Sequence, residues 1–404
     1  MLALLGAADG SGAVPGRRVA VTGVGVLATC GFGKEGFWAG LLSDPPTGLR
    51  RVQGFDASPF FGPKEVRRVD RFTQFAVATA EEAIEDAGGL EGLTADPARA
   101  GVMIGTGVGG LETLETQIMI FHDKGPRRVT PFMVPMVMCN AAAATVSMRY
   151  GFRGPCESTV TACAAGTHSI ANAARLVSTG RCDVMIAGGS EAGLTPVGLA
   201  AFTNMTALSS SGVSRPFDVK RDGFVIAEGA AAFVLEEWGR AVGRGARIYA
   251  EVAGAASNAD AFHITAPAPG GAGAAGCMEL AIVDAGLGPG DIVHINAHGT
   301  ATPLNDGAEA EAINKVFGTP GPIVTSTKGV TGHALGAAGA LEAAAAMLTI
   351  AHKTIPPTAG LTELDPEIHL DVVMGKPRPW EPGPLLSNSF GFGGHNGSLL
   401  FVPT

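Results

Sequence analysis

Charge is scarce in this chain. Asp, Glu, Lys and Arg make up 16% of its 404 residues against 46% hydrophobic residues, and the net charge is −9. Nucleic-acid binding needs a dense basic face, which this composition does not supply. The same balance leaves ample side chains for a large core, and the length suits two or three core units or one large α/β unit. Cysteine is sparse as well: six residues, at 30, 139, 156, 163, 182 and 277, are too few for a disulfide framework, so a reducing cytoplasm is the expected compartment. The opening MLALLGAADGSGAVPGRR has a brief apolar run with no positive region ahead of it, and residues 1–16 are expected to form a loose tail, not a signal peptide. Residues 129–148 carry no charge for twenty positions. Pro131, Pro135 and Asn140 interrupt that stretch, so it reads as a buried segment and no membrane association is expected. No period of roughly 20 to 50 residues is visible, which excludes a solenoid. What is abundant is glycine, 59 residues, which with 26 prolines makes about a fifth of the chain, below the low-complexity range; many close backbone approaches follow.

Short apolar runs alternate with Ala-rich stretches of helical spacing. Residues 17–26, 100–107, 182–189, 231–238, 248–257, 292–299, 322–329 and 398–403 read as buried strands. Between them, 71–88, 164–180, 273–287, 305–318 and 336–353 read as helices, several closed by glycine. This alternation predicts a layered α/β architecture. Strand, chemistry-bearing turn and long helix occur near 156–180 and again near 292–318, which suggests a duplication with its seam near residue 250 and halves of 17–250 and 251–404.

The string GTGVGG (105–110) follows a strand and matches G-x-G-x-x-G, but KGPRRVTPF stands where a dinucleotide site would need a second strand with a terminal acid, so close backbone packing is the better reading. In STVTACAAGTHSIANAARL (158–176), Cys163 sits between an extended run and a helix start among small neighbours. A thiol at a helix N-terminus faces unpaired amides and the positive dipole end, which favours the thiolate and lowers its pKa; an approachable nucleophile and an inert core thiol both remain open at this point. His298 and His333 end strand-like runs before Gly-rich turns, and a cysteine with spatially adjacent histidines is a nucleophilic constellation. His294 and His298 are four apart on a strand, not a helix, which argues against a zincin-type metal pair.

The four strings VTACAAGTHSI, NAHGTATPLND, STKGVTGHALGAAGALE and NSFGFGGHNG, in that order, resemble the β-ketoacyl-[acyl-carrier-protein] synthases, in particular the synthase II family of bacterial fatty acid elongation. The similarity runs from about residue 17 to the end. It implies the thiolase fold, two similar βαβαβαββ halves in a five-layered αβαβα arrangement, as a homodimer. It implies decarboxylative condensation of an acyl-enzyme with malonyl-carrier protein, with no resident cofactor, the phosphopantetheine arriving on the carrier. Carried over by residue, Cys163 is the nucleophile, and His298 and His333 are the pair that assists decarboxylation and holds the enolate. Lys328 and Glu342 are a supporting pair that orients the second histidine; a lysine buried unpaired would be costly, which makes Glu342 its natural counter-ion. Phe392 is a gate whose amide joins that of Cys163 in an oxyanion hole, and Thr300 and Thr302 bind the phosphopantetheine arm. Val108, Phe224 and Thr265 line the substrate pocket, joined across a dimer by the region of Met133.

Lys64, Arg67, Arg68, Arg127 and Arg128, in GPKEVRRVDRF and KGPRRVTPF, form a local basic excess suited to an acidic carrier protein, and the resemblance places that partner there. The same catalytic set also serves ketosynthases of type II polyketide pathways. A non-catalytic chain-length subunit typically lacks the cysteine, and a degradative thiolase uses a second cysteine where histidines stand here. His395, Cys30 and the compact 208–216 depart from the family pattern and bear on substrate preference.

Overall fold

The computed structural model describes residues 16–93 and 96–404; the expected tail at 1–16 lies, but for Gly16, outside them. The first half supplies β1 (Val19–Ala28), α1 (Arg71–Asp86), β2 (Ala100–Gly105), α2 (Leu111–Lys124), β3 (Cys156–Glu157), α3 (Ala165–Ser178), β4 (Val184–Glu191) and β5 (Gly229–Glu237). The second supplies β6 (Ala250–Ala259), α4 (Ala272–Asp284), β7 (His294–Asn296), α5 (Pro303–Phe317), β8 (Ile323–Thr325), α6 (Ala338–His352), β9 (Leu385–Gly391) and β10 (His395–Pro403). Hydrogen bonding orders the first set β1-β5-β4-β2-β3 and the second β6-β10-β9-β7-β8, the same path twice, joined where β1 pairs β6. In each set the first two pairings are antiparallel and the next two parallel.

The two central helices, α3 and α6, lie between the sheet halves: α3 packs on β4 and β2 and also on β10, and α6 on β5 and β9. Outside them, α1 covers β1 and β5, while α4 covers β6 and β10. The result is five layers, helix, sheet, helix, sheet, helix. The central layer is tight because its residues are small. From Ala338 to Ile350 every residue of α6 is buried, and seven of the thirteen are alanine or glycine, so two backbones can approach where larger side chains would hold them apart. On the outside, a Cβ at Gly23 would stand 2.0 Å from the Ala83 carbonyl oxygen, and one at Gly25 2.0 Å from that of Thr79; glycine alone lets α1 lie this close to β1. The GTGVGG string follows the same logic, since a Cβ at Gly105 would stand 2.4 Å from the Ala165 carbonyl oxygen.

The uncharged stretch 129–148 is broken into helices Met133–Val137 and Ala141–Tyr150 and, against the expectation of burial, much of it faces outward, Val134 and Met148 being 66% and 75% exposed. Among the described residues one helix, Leu335–His352, is long and apolar enough to cross a membrane, and it is 89% buried in the core. At the start of β7, His294 is fully buried against the edge of the Trp380 ring, 5.6 Å away, with neither ring nitrogen hydrogen-bonded. Burial pushes its pKa down to about 3. The unfolded chain protonates this ring near pH 6.5 and the folded one does not, so stability is lost as pH falls below about 6.5, at about 1.4 kcal/mol per pH unit. We expect His294→Phe to raise the urea midpoint, and to gain about 2 kcal/mol more at pH 5 than at pH 7; equal gains at both pH values would show that the ring titrates elsewhere.

Candidate active site

Cys163 sits in the turn Ala162–Ala164 that feeds α3, and Ala162 before it takes a left-handed φ of 49°. The corresponding turn of the second half, Leu335–Ala337, feeds α6 and opens with Leu335 at φ 44°. Strain of this kind persists only where packing over-determines it, and both turns face one cavity. That cavity, about 480 Å³, is walled mainly by apolar groups and reached by Gly107, Val108, Cys163, Phe202, Phe224, Thr265, His298, Thr300, Thr302, His333 and Phe392. Nine of these are positions singled out in the sequence.

His333 Nε2 lies 3.0 Å from Cys163 Sγ, and the Phe392 backbone amide donates to the same sulfur. The rings of His298 and His333 meet edge to face with centroids 5.4 Å apart, and Phe224 stands edge-on to His333 at 5.0 Å. Burial, the Lys328 charge and, for His298, the second histidine push both imidazoles well below their usual 6.5, so both are neutral at physiological pH.

The thiol differs from the expectation. A helix start favours a thiolate, yet burial pushes the Cys163 pKa up to about 11; Lys328 and the Phe392 amide pull it down, while Glu191 and Glu342 oppose them. Dry surroundings outweigh the helix end, so the resting group is a thiol. Lys328 and Glu342 are both buried, not surface residues, and form an ion pair. Here too the structure corrects the sequence reading. Lys328 Nζ stands 3.3 Å from His298 Nδ1 and donates to the His298 carbonyl at 2.6 Å, so its hydrogen bonds go to the first histidine and not the second. The short helix Lys328–Thr331 turns the ammonium toward His298.

Thr300 and Thr302 share a hydroxyl hydrogen bond at 2.9 Å, and Thr302 caps α5 by accepting from the Asn305 amide. Met133 opens a short helix outside the cavity wall of the single chain. Lys64, Arg67, Arg68, Arg127 and Arg128 are all exposed, and Arg68 stacks on the Phe132 ring at 4.5 Å, which brings the two basic strings together.

Family models match both halves of the chain: the beta-ketoacyl synthase N-terminal domain over residues 44–241 and its C-terminal domain over 249–362. The chain belongs to the beta-ketoacyl synthase family. It is 45% identical to the 3-oxoacyl-[acyl-carrier-protein] synthase 2 of Synechocystis sp., over 95% of this chain and 98% of that one. The protein of the same name from Vibrio cholerae is 42% identical over 95% and 99%. Among solved structures, the ishigamide ketosynthase/chain length factor superposes with a TM-score of 0.91 at 32% identity, over 96% of this chain and all of that one. A type II PKS acyl-carrier protein in complex with its ketosynthase bound to the hexaketide gives 0.87 at 32% identity, with the same coverage. The five layers and the repeated strand path are the thiolase fold of these ketosynthases.

Two carboxylates that this family member places beside the site escaped the sequence reading. Glu309 accepts from the amides of His298 and Gly299, both at 2.8 Å, and fixes the turn that carries the first histidine. Its signal was present in α5, where Asp306 and Glu309 fall three apart on one face. Glu191, fully buried at the end of β4, accepts from the amides of Gly107 at 2.6 Å and Gly336 at 3.1 Å and from the Thr106 hydroxyl at 3.2 Å. It thereby ties the cavity wall to the turn after His333. Burial pushes both carboxyls up to about 7. The departures are local. Ser209, Ser210 and Ser211 gather on the Asp222 carboxylate and keep 208–216 compact, and burial pushes the Cys30 thiol up to about 12.

Proposed function

We propose that this chain condenses a Cys163-bound acyl group with malonyl-acyl-carrier protein, giving β-ketoacyl-carrier protein and carbon dioxide in fatty acid elongation. The observation that carries the reading is the convergence of Cys163, His298 and His333 within 4.8 Å at an apolar cavity. Cys163 Sγ attacks the thioester carbonyl of the incoming acyl-carrier protein as His333 Nε2 takes its proton. The amides of Cys163 and Phe392 hold the oxyanion, and the carrier thiol leaves with the proton. Malonyl-carrier protein then loses carbon dioxide, with the enolate oxygen held by the Nε2–H of His298 and, once the His333 ring proton has exchanged from Nδ1 to Nε2, by that of His333 as well. The enolate carbon attacks the acyl-Cys163 carbonyl, a carbon–carbon bond forms, and the thiolate is expelled and reprotonated. Thr300 and Thr302 line the way for the phosphopantetheine arm, Phe392 gates the acyl pocket, and no resident cofactor is required. Incubation with acyl- and malonyl-carrier protein tests this: β-ketoacyl product and carbon dioxide in equal amounts are expected, and product without carbon dioxide would defeat it.

Identities of 42–45% to proteins named 3-oxoacyl-[acyl-carrier-protein] synthase 2, against 32% to the ketosynthase of the type II PKS complex, favour fatty acid elongation over the polyketide alternative. The halves 17–250 and 251–404 then divide the labour, the nucleophile coming from the first and both histidines from the second. Six free cysteines suit a reducing cytoplasm. The side chains of Ile118, Met119, Phe121 and Val134 are more than half exposed on adjoining helices, beside the open sheet edge at β3. A second copy of the chain would cover them, and it would bring the Met133 region to its partner's pocket.

The basic patch is the proposed carrier dock. Replacing Arg67, Arg68, Arg127 and Arg128 with glutamate should raise KM for carrier-protein substrates roughly ten- to a hundredfold at low salt, with small-thioester mimics reacting nearly as before. Equal losses for both substrate types would mean the variant is misfolded or the dock is elsewhere. Within the pocket, Val108 leans on Gly193, where a Cβ would stand 3.1 Å from Val108 Cγ2. A larger side chain at 108 has no room behind it and must enter the cavity. Val108→Phe should therefore shorten the longest acyl chain accepted; an unchanged chain-length profile would place the pocket elsewhere.

A further inference from the structure

Cys163, His298 and His333 each offer one donor atom, all three residues are buried, and those atoms lie within 4.8 Å of one another. A tetrahedral zinc ion sets sulfur and nitrogen donors roughly 3.3–3.7 Å apart, so small side-chain shifts would close this cluster around a metal. One thiol, two neutral imidazoles and an open fourth position on a cavity make a donor set that suits zinc or cobalt.

One neighbour is wrong for a metal. An ammonium has donors only, and those of Lys328 reach His298 Nδ1, the His298 carbonyl and Glu342. Nδ1 of the first histidine is therefore an acceptor, and the single proton of the neutral ring sits on Nε2. Metal ligation asks for the reverse arrangement: the ligating nitrogen offers its lone pair, while the far nitrogen donates its N–H to a carbonyl or carboxylate.

We infer that Lys328, by holding His298 in its Nε2–H form, bars divalent transition metals from a Cys–His–His cluster that would otherwise bind them. The same proton position supplies the enolate donor of the proposed condensation, so one lysine both arms the histidine and keeps the thiol free. The inference concerns one ring and a metal and needs no substrate. It can fail while condensation stands, and stand if condensation fails.

Cobalt titration of the full-length chain tests it, read by the near-ultraviolet thiolate-to-cobalt charge-transfer band and by bound metal per chain. Lys328→Met should bind one Co²⁺ at least about tenfold more tightly than the unaltered protein, the scale on which outer partners of metal ligands act. The band should vanish when Cys163→Ala is added. Because Lys328→Met leaves Glu342 buried without its cation, free to hold the ion itself or to destabilise the fold, the charge-balanced Lys328→Met/Glu342→Gln chain is measured alongside, with circular dichroism as the check on folding. Equal affinity in the unaltered protein and the folded variant overturns the inference, as does a band that survives Cys163→Ala. So does a Cys163-dependent band in the unaltered protein that reaches half its full intensity at the same cobalt concentration as in the variant.

Discussion

Cys163→Ala takes up no acyl chain and forms no β-ketoacyl product. Alanine offers no lone pair to the thioester carbonyl, and no other thiol can substitute. Cys277 is fully buried in the core, Cys156 lies at the sheet edge, and the cavity reaches no cysteine but Cys163. The expected loss is at least about four decades in condensation, some 5–6 kcal/mol. His298 and His333 remain in the variant, so carbon dioxide release from malonyl-carrier protein should continue, uncoupled from product. Intact-protein mass spectrometry after incubation with acyl-carrier protein checks the first half, with an acyl mass on the unaltered chain mapping to the Cys163 peptide. A thioester on any other cysteine would sink the assignment.

His298→Ala and His333→Ala should each lower decarboxylation by two to three decades, about 3–4 kcal/mol, comparable with losing an oxyanion donor. The reason is the protonation state. Both rings are held well below 6.5, so each is neutral and presents one N–H, and acidification from about pH 7.5 to pH 6 should leave that donation intact. Acid loss of carbon dioxide release with a midpoint near 6.5 would contradict the environment described here. The two variants should differ in loading. His333 Nε2 is the group 3.0 Å from the sulfur of a thiol whose pKa is pushed up to about 11, so His333→Ala should slow acylation more than His298→Ala. Undiminished carbon dioxide release in both variants would remove the histidines from the decarboxylation step.

Much of the architecture was legible because buried strands advertise themselves. Strands covered on both faces read as near-continuous apolar runs, and β4, with all eight residues buried, is such a run. β9 was not legible. Its sequence LLSNSFG places Ser387, Asn388 and Ser389 in the interior, where β7 and β10 flank the strand, the Ser398 hydroxyl donates to Asn388 at 2.8 Å and Ser389 shares a hydrogen bond with Thr167 at 2.8 Å, while the Ser387 hydroxyl has no partner. Nor was the helix Ala141–Tyr150, hidden within an uncharged stretch whose prolines spoke only against a membrane span.

The residue types of the site, their turns and the repeat that places two such turns in one chain were determined by the sequence alone. They are local properties, of a cysteine before a helix, of histidines after strands, of glycines where two backbones touch. The electrostatics were decided only by the tertiary structure. A helix start argues for a thiolate at Cys163, but burial is a property of everything packed around it, and it reverses the direction. Lys328 is five residues from His333 and thirty from His298, yet its hydrogen bonds go to the distant histidine. Glu191 finds its donors 84 and 145 residues away. Hydrogen bonds and desolvation depend on separation in space, which five packed layers set and chain spacing does not.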